Sequence, residues 1–204
     1  GKTFVPLGAS FPAARMATML ERSGARILIA ASDTDERVAE LLASAAVAPA
    51  VVRPEHDPEV PAADSPLLPA PLATAAPAYL LFTSGSTGQP KGVAVGHGAL
   101  QAYVAALQAC CPELDEQQRC SQFFEPTFDL SLHDLFVTWA VGACLYCVPA
   151  EELMLPLDFA NRHRLTSWFS VPSMAAALQR YRLLRPDALP HLRLALFCGE
   201  ALPG

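Results

Sequence analysis

An α/β fold built from parallel βα units is expected from three features of this 204-residue chain. Helical and strand-like stretches alternate along it, the strand-like runs are short and apolar, and a proline-rich connection separates two such series. Alternating strands and helices are the pattern of βαβ units packed on a parallel sheet.

Residues 12–22 carry helical periodicity, with Ala13, Met16, Ala17 and Leu20 on one face and Ser10 as the capping candidate. Residues 26–30 form a short apolar strand, 33–46 a helix opened by acidic residues, and 50–52 another strand. Residues 53–77 hold seven of the 19 prolines and read as a loop or subdomain connection. Residues 78–82 read as a buried strand, followed by a Ser/Thr/Gly loop and a strand at 92–95. Helices are expected at about 98–110, at 130–140, and from 173 to 184 behind Pro172. Strands are expected at 143–148, 167–170 and 192–197, and Trp139 and Trp168 are expected in the core. The regions are thus 1–52, 53–77 and 78–204, with no internal repeat.

Composition narrows the function classes. Acidic residues outnumber basic ones, 20 to 14, for a net charge of -6, so the chain lacks the basic footprint of a nucleic-acid binder. The apolar, uncharged stretch 135–149 falls short of the roughly 20 residues a spanning helix needs and reads as a buried helix followed by a buried strand. The 6 cysteines include a single CxxC spacing, Cys144-Leu145-Tyr146-Cys147, with no second pair or histidine partner to complete a zinc spacing, and Cys110–Cys111 carries no functional signal. Cys144, Cys147 and Cys198 lie in apolar runs, where a thiol behaves as a small hydrophobe. No leader precedes Phe4, so a reducing, cytoplasmic setting is expected.

The informative segment follows the strand at 78–82: Thr83-Ser84-Gly85-Ser86-Thr87-Gly88-Gln89-Pro90-Lys91-Gly92. Four hydroxyls, three glycines and a lysine suit the handling of phosphate oxygens. Glycines let backbone N–H groups approach an anion, hydroxyls donate hydrogen bonds, and lysine supplies a point charge. A Walker A loop needs Gly-Lys followed by Ser or Thr, whereas Pro90 precedes Lys91 and Gly92 follows it.

This string resembles, residue for residue, the phosphate-binding signature of the adenylate-forming superfamily of acyl-CoA ligases, luciferases and nonribosomal peptide synthetase adenylation domains. Gly1-Lys2-Thr3-Phe4-Val5-Pro6-Leu7 resembles that family's early adenylation-domain motif, which enters the fold as a strand. Phe128-Asp129-Leu130-Ser131 resembles its amino-acid-binding motif, and 194–202 the strand and turn beside the adenine. The resemblance implies the large N-terminal domain of that fold, incomplete at both ends. The family's later motifs and small C-terminal domain fall beyond Gly204, so the 204 residues alone are expected to be inactive.

What the resemblance further implies is activation of a carboxylic acid with Mg-ATP as an acyl-adenylate, with release of pyrophosphate. Transfer to a thiol follows, usually the phosphopantetheine of a carrier protein. By carry-over Thr83, Ser84, Gly85, Ser86 and Gly88 would hold ATP phosphates, and Thr87 and Lys91 would assist catalysis. Gly199 and Glu200 would lie along the nucleotide. No protein ligand to Mg2+ is assignable.

Asp129 separates the branches. A carboxylate there suits a substrate α-ammonium, whereas a simple carboxylic acid has no cation to satisfy it. The plain alternative is a helix N-cap or first-turn residue, which acids favour. The stretches around Asp129, Trp168 and Phe197 resemble D-alanine–carrier protein ligases, in which the cysteine of Phe-Cys-Gly-Glu lines the pocket, making Cys198 a candidate wall. Its alternative is a buried strand cysteine. His133 departs from that subfamily, where an apolar residue is more usual. One turn after Asp129, it reads either as a donor to a polar substrate side chain or as a surface residue. Leu130, Phe169 and Leu196 suggest a compact pocket for a small or medium neutral side chain. His97 reads as a structural cap. Two other readings stay open: a carboxylate–CoA ligase with Asp129 structural, and a non-catalytic remnant that keeps the fold.

Overall fold

The structure is a computed structural model that describes residues 2–55, 73–84 and 90–201. Two compact units divide it, Gly1–Gln101 and Ala102–Gly204.

In the first unit, α1 (Ala13–Ser23) and α2 (Asp35–Ser44) flank a parallel pair, β1 (Ile27–Ile29) and β2 (Ala50–Val52). Met16, Ala17, Leu20 and Leu41 form its small core, joined by Leu7, Phe11 and Leu28. The α1 start differs from expectation. Pro12, not Ser10, stands at the N-cap, and no side chain caps the helix. Its other end follows the sequence: Gly24 adopts φ 64°, a left-handed geometry that suits glycine.

A long antiparallel hairpin follows, β3 (Pro77–Ser84) and β4 (Pro90–Gly96), both longer than the apolar cores that betray them. Backbone pairing propagates along the polar residues because each opposed pair supplies the ladder regardless of side chain. The amino-terminal segment meets this hairpin at a single parallel bridge, Phe4 to Tyr79, rather than as a full strand.

The helix α3 (His97–Cys110) leads from the first unit to the second. Its first turn is capped by main chain: His97 and Gly98 donate to the carbonyls of Ala76 and Thr74 at 2.9 and 2.8 Å. A Cβ on Gly98 would lie 3.0 Å from Thr74 Cβ, so this close approach requires glycine.

The second unit holds a four-stranded parallel sheet in the order β6-β5-β7-β8. The strands are β5 (Arg119–Gln122), β6 (Cys144–Cys147), β7 (Ser167–Ser170) and β8 (Leu194–Phe197). The helix α4 (Leu130–Ala140) packs on β5 and β6. Two further helices are α5 (Pro156–Arg162) and α6 (Pro172–Arg180), each with proline in its first turn. Phe123, Phe159, Ala160, Leu165, Trp168 and Leu178 form the core.

Several expectations are corrected. The strand β5 is not visible in the hydrophobic pattern because Arg-Cys-Ser-Gln is polar. Tertiary partners satisfy it: Ser121 Oγ accepts from the Phe169 N–H at 3.2 Å, and Arg119 Nε donates to the His163 carbonyl at 2.7 Å. The same holds for buried Gln118, which donates to the Glu113 carbonyl and accepts from Thr166. Trp139 is 60% exposed, since α4 turns Asp134, Val137 and Thr138 inward instead. Cys144 and Cys147 are exposed because β6 is an edge strand, and Cys198 is exposed just past β8. The last helix stops at Arg180, four residues early. Most of the proline-rich connection lies outside the described residues.

Candidate active site

Two sets of functional side chains emerge, one in each unit. In the hairpin, Thr83 stands directly opposite Lys91 in the antiparallel register, and Ser84 opposite Pro90. Residues so opposed share one face of the pair, so the hydroxyl of Thr83 and the ammonium of Lys91 project together. Thr83 Oγ1 makes only a long contact, 3.5 Å, to the Lys91 carbonyl. Both side chains are exposed. The loop end of the hairpin is tied to α1, where Arg22 Nη1 donates to the Pro90 carbonyl at 2.7 Å. Gly85, Ser86, Thr87 and Gly88 lie outside the described residues, as does the side chain of Ser84.

In the second unit, α4, β7 and the turn after β8 bring the other residues together. Asp129 occupies the N-cap position of α4 with φ -62° and ψ -30°, and its side chain makes no capping hydrogen bond. The capping alternative therefore does not hold, while the helical φ and ψ keep Asp129 at the first turn of α4. Nearby Ser131 donates its hydroxyl to the Phe128 carbonyl at 2.6 Å and so engages no N–H of the helix start. Asp129 is left as an exposed carboxylate that no cap engages.

His133 is buried, at 8% exposure, which overturns the surface alternative. Its ring lies 3.9 Å from the Phe169 ring, centroid to centroid, and its Nδ1 lies 2.9 Å from the hydroxyl oxygen of Tyr103. Burial pulls the imidazole pKa from its ordinary 6.5 down to about 4, so the ring is neutral at physiological pH. Tyr103 itself is pushed up, by burial first and then by neighbouring Cys198, Asp134 and Asp129, and stays a neutral phenol.

Leu130 and Leu196 are half-buried, and Phe169 and Leu196 are register partners in adjacent parallel strands. The turn after β8 reaches Leu130: a Cβ on Gly199 would sit 3.6 Å from Leu130 Cδ1 and from Val171 Cγ1. At φ 92° this residue occupies a conformation that side chains rarely adopt. Cys198, exposed beside it, is not a buried strand cysteine. Glu200 has a structural task. Its carboxylate accepts from Ser173 N at 3.0 Å and from Ser173 Oγ at 3.1 Å, which caps the start of α6.

Tyr103, Phe124 and Phe128 join this cluster without having been singled out by sequence. Phe124 stacks on Phe128 at 6.2 Å and meets Phe169 edge-on at 5.4 Å. Helical periodicity cannot link Tyr103 to His133, thirty positions away, because their contact exists only once α3 and α4 are placed. Asp134 is the other unexpected group. Next to His133 but turned inward, it is 2% exposed, and neither carboxylate oxygen has a hydrogen-bond partner among the described residues. Burial pushes its pKa from 3.8 up to about 8, while the Phe123 backbone N–H pulls the other way without reaching hydrogen-bond geometry.

The chain that carries exposed Thr83 and Lys91 on a hairpin, and an acid-and-aromatic cluster at the carboxyl ends of parallel strands, has relatives. All of the chain, residues 1–204, matches the AMP-binding enzyme family. It is 40% identical over 131 residues to an L-proline–[L-prolyl-carrier protein] ligase of Streptomyces coelicolor, over 62% of this chain and 24% of that protein. Its fold matches the Vibrio cholerae adenylation domain AlmE, solved with glycyl-adenosine-5'-phosphate, at a TM-score of 0.87 and 30% identity. That match covers 97% of this chain and 41% of the other. The nonribosomal peptide synthetase FmoA3 in its AMPPNP-bound form matches at 0.81 and 27% identity, over 98% of this chain and 21% of that one. The chain thus spans less than half the length of each of these relatives. It belongs to the AMP-binding enzyme family and has the fold of the large N-terminal domain of adenylate-forming enzymes.

Proposed function

We propose that this AMP-binding family chain is the nucleotide- and amino-acid-binding part of an amino-acid adenylation enzyme. The observation that carries the reading is Asp129: an exposed carboxylate at a helix start, free of any capping bond, one turn before a buried neutral histidine. Such a group is arranged to pair with a substrate ammonium through a charge-assisted hydrogen bond.

In the first half-reaction a carboxylate oxygen of the amino acid attacks the α-phosphorus of ATP. The bond to the bridging oxygen breaks, and pyrophosphate leaves with the electron pair. Thr83 and Lys91, on one face of the hairpin, supply a donor and a positive charge where negative charge spreads over phosphate oxygens. Mg2+ brought in with the nucleotide would supply charge neutralisation at the phosphate oxygens, and no side chain among the described residues is assigned to hold it. Gly85 to Gly88 complete the loop by motif. Asp129 orients the amino acid, and Leu130, His133, Phe169, Leu196 and Cys198 surround its side chain. The backbone of Gly199 and Glu200 borders the nucleotide. In the second half-reaction the thiol of a carrier protein's phosphopantetheine attacks the acyl carbon and AMP leaves. A cytoplasmic setting goes with this reading.

Amino-acid-dependent ATP–pyrophosphate exchange in the full-length protein tests it. Exchange with a small or medium neutral amino acid is expected, falling about a hundredfold or more in Asp129→Ala. Exchange driven by unsubstituted carboxylic acids and indifferent to Asp129→Ala would replace this reading with a carboxylate–CoA ligase. No exchange with either class would favour a non-catalytic remnant.

A further inference from the structure

Tyr103 is the group in the pocket that the proposed reaction does not itself use. Its hydroxyl oxygen lies 2.9 Å from His133 Nδ1, and the two rings meet edge-on at 6.1 Å. A neutral imidazole carries one N–H, and which nitrogen bears it decides whether the ring offers a donor or an acceptor to a ligand. A phenol is a good donor and a weak acceptor, whereas an unprotonated imidazole nitrogen is a strong acceptor. The pair therefore settles with Tyr103 O–H donating to Nδ1, which places the imidazole proton on Nε2.

That Nε2–H has no hydrogen-bond partner among the described residues. It is also not sealed away, since the sealed and unpartnered polar atoms are those of Arg15, His97 and Asp134. Phe169, 3.9 Å from the ring, restrains the ring against turning. Helical side chains lean toward the amino end of their helix, so the imidazole leans over the turn that carries Asp129 and Leu130. A neutral donor beside the acidic Asp129 disfavours a carboxylate side chain by repulsion from Asp129. An apolar side chain would leave the Nε2–H without a partner.

We propose that Tyr103 is a positioning residue that holds His133 in its Nε2–H form, so that the pocket selects small amino acids whose side chain carries a neutral oxygen acceptor, a hydroxyl or a carboxamide. This rests on the amino-acid reading above and names the substrate class for it. A site built around a hydrogen bond rejects the isostere that lacks it, here by roughly tenfold to a hundredfold.

The test compares isosteric pairs in pyrophosphate exchange by the full-length protein: serine with alanine, threonine with valine, asparagine with leucine. In at least one pair the oxygen-bearing member is expected to win by that factor in kcat/KM. Tyr103→Phe is expected to pull the ratio toward one through the KM of the oxygen-bearing member. A purely structural loss would lower both members together. An independent reading comes from nitrogen NMR of histidine-labelled protein, which should show the His133 proton on Nε2 and an acceptor-type Nδ1. Apolar members winning every pair, a ratio untouched by Tyr103→Phe, or a proton on Nδ1 would each overturn the proposal. Should the variant not fold, the wild-type ratios and spectrum decide alone. Absence of exchange with every amino acid would instead defeat the adenylation reading, and the spectrum would still judge the Tyr103–His133 pair.

Discussion

The β3–β4 hairpin and the pocket around α4 solve different problems with different amounts of chain. In the hairpin one antiparallel register sets Thr83 against Lys91, eight positions apart in sequence. The pocket draws Tyr103 from α3, Asp129 to His133 from α4, Phe169 from β7 and Cys198 from the turn after β8. Hydrated phosphate oxygens can be met by exposed groups and backbone, so local sequence suffices. In the cluster buried His133 and Phe169 stand beside exposed Asp129, Cys198 and Tyr103, so its groups come from several elements and from both sides of the water boundary. Parallel strands point their carboxyl ends the same way, which is where such contributions converge.

That contrast can be broken at either end. Trp168→Ala, in the middle of the buried strand β7, removes the ring packed 4.4 Å from Phe123 and its bond to Ser170 Oγ. A loss of about 3–5 kcal/mol is expected on urea unfolding. An effect below about 1 kcal/mol would show that the pocket's floor is not the rigid element described here. Lys91→Ala should do the reverse. It should lower the maximal exchange rate by about 10²–10³, while stability moves by less than about 0.5 kcal/mol because the side chain is exposed. Equal losses of rate and stability would contradict the separation.

A sharper probe uses the neighbours His133 and Asp134. Folded Asp134 keeps its proton up to about pH 8, whereas the unfolded chain loses it near 3.8. Between those values the folded state binds more protons, so stability falls as pH rises. His133 acts in the opposite sense. Between 6.5 and about 4 the unfolded chain takes up the proton first, so stability is lost on acidification. The two offset each other below pH 6.5, and from there to pH 8 Asp134 acts alone, lowering stability by about 2 kcal/mol. Asp134→Asn should flatten that upper limb in urea unfolding at pH 6.5 and 8. An unchanged slope would mean the carboxyl is not held neutral. Smallest is Gly199→Ala, where φ 92° should cost about 1–2 kcal/mol of stability, read from the same unfolding midpoint.

The elements most legible in the sequence were those whose own residues carry a strong pattern. The helix at 130–140 and the strands at 50–52 and 167–170 have the expected bounds, since each is strongly apolar or strongly periodic. The polar strand β5 and the short helix α5 escaped notice because long-range partners such as Thr166 and Phe169 stabilise Arg119 and Ser121. Trp139 misled because apolar character says nothing of which way a helix faces, and Ser10 because a capping residue type is not a capping bond.

By itself the sequence determined the order of hydroxyls, glycines and lysine at 83–92, the alternation that makes a parallel α/β sheet, and the acid at 129, because each depends on neighbours along the chain. Only tertiary structure decided that Asp129 caps nothing, that Glu200 caps α6, that His133 is buried and neutral, and that Tyr103 stands against it. Protonation and hydrogen-bond roles follow from desolvation and from partners distant in sequence, which exist only after the strands and helices have packed.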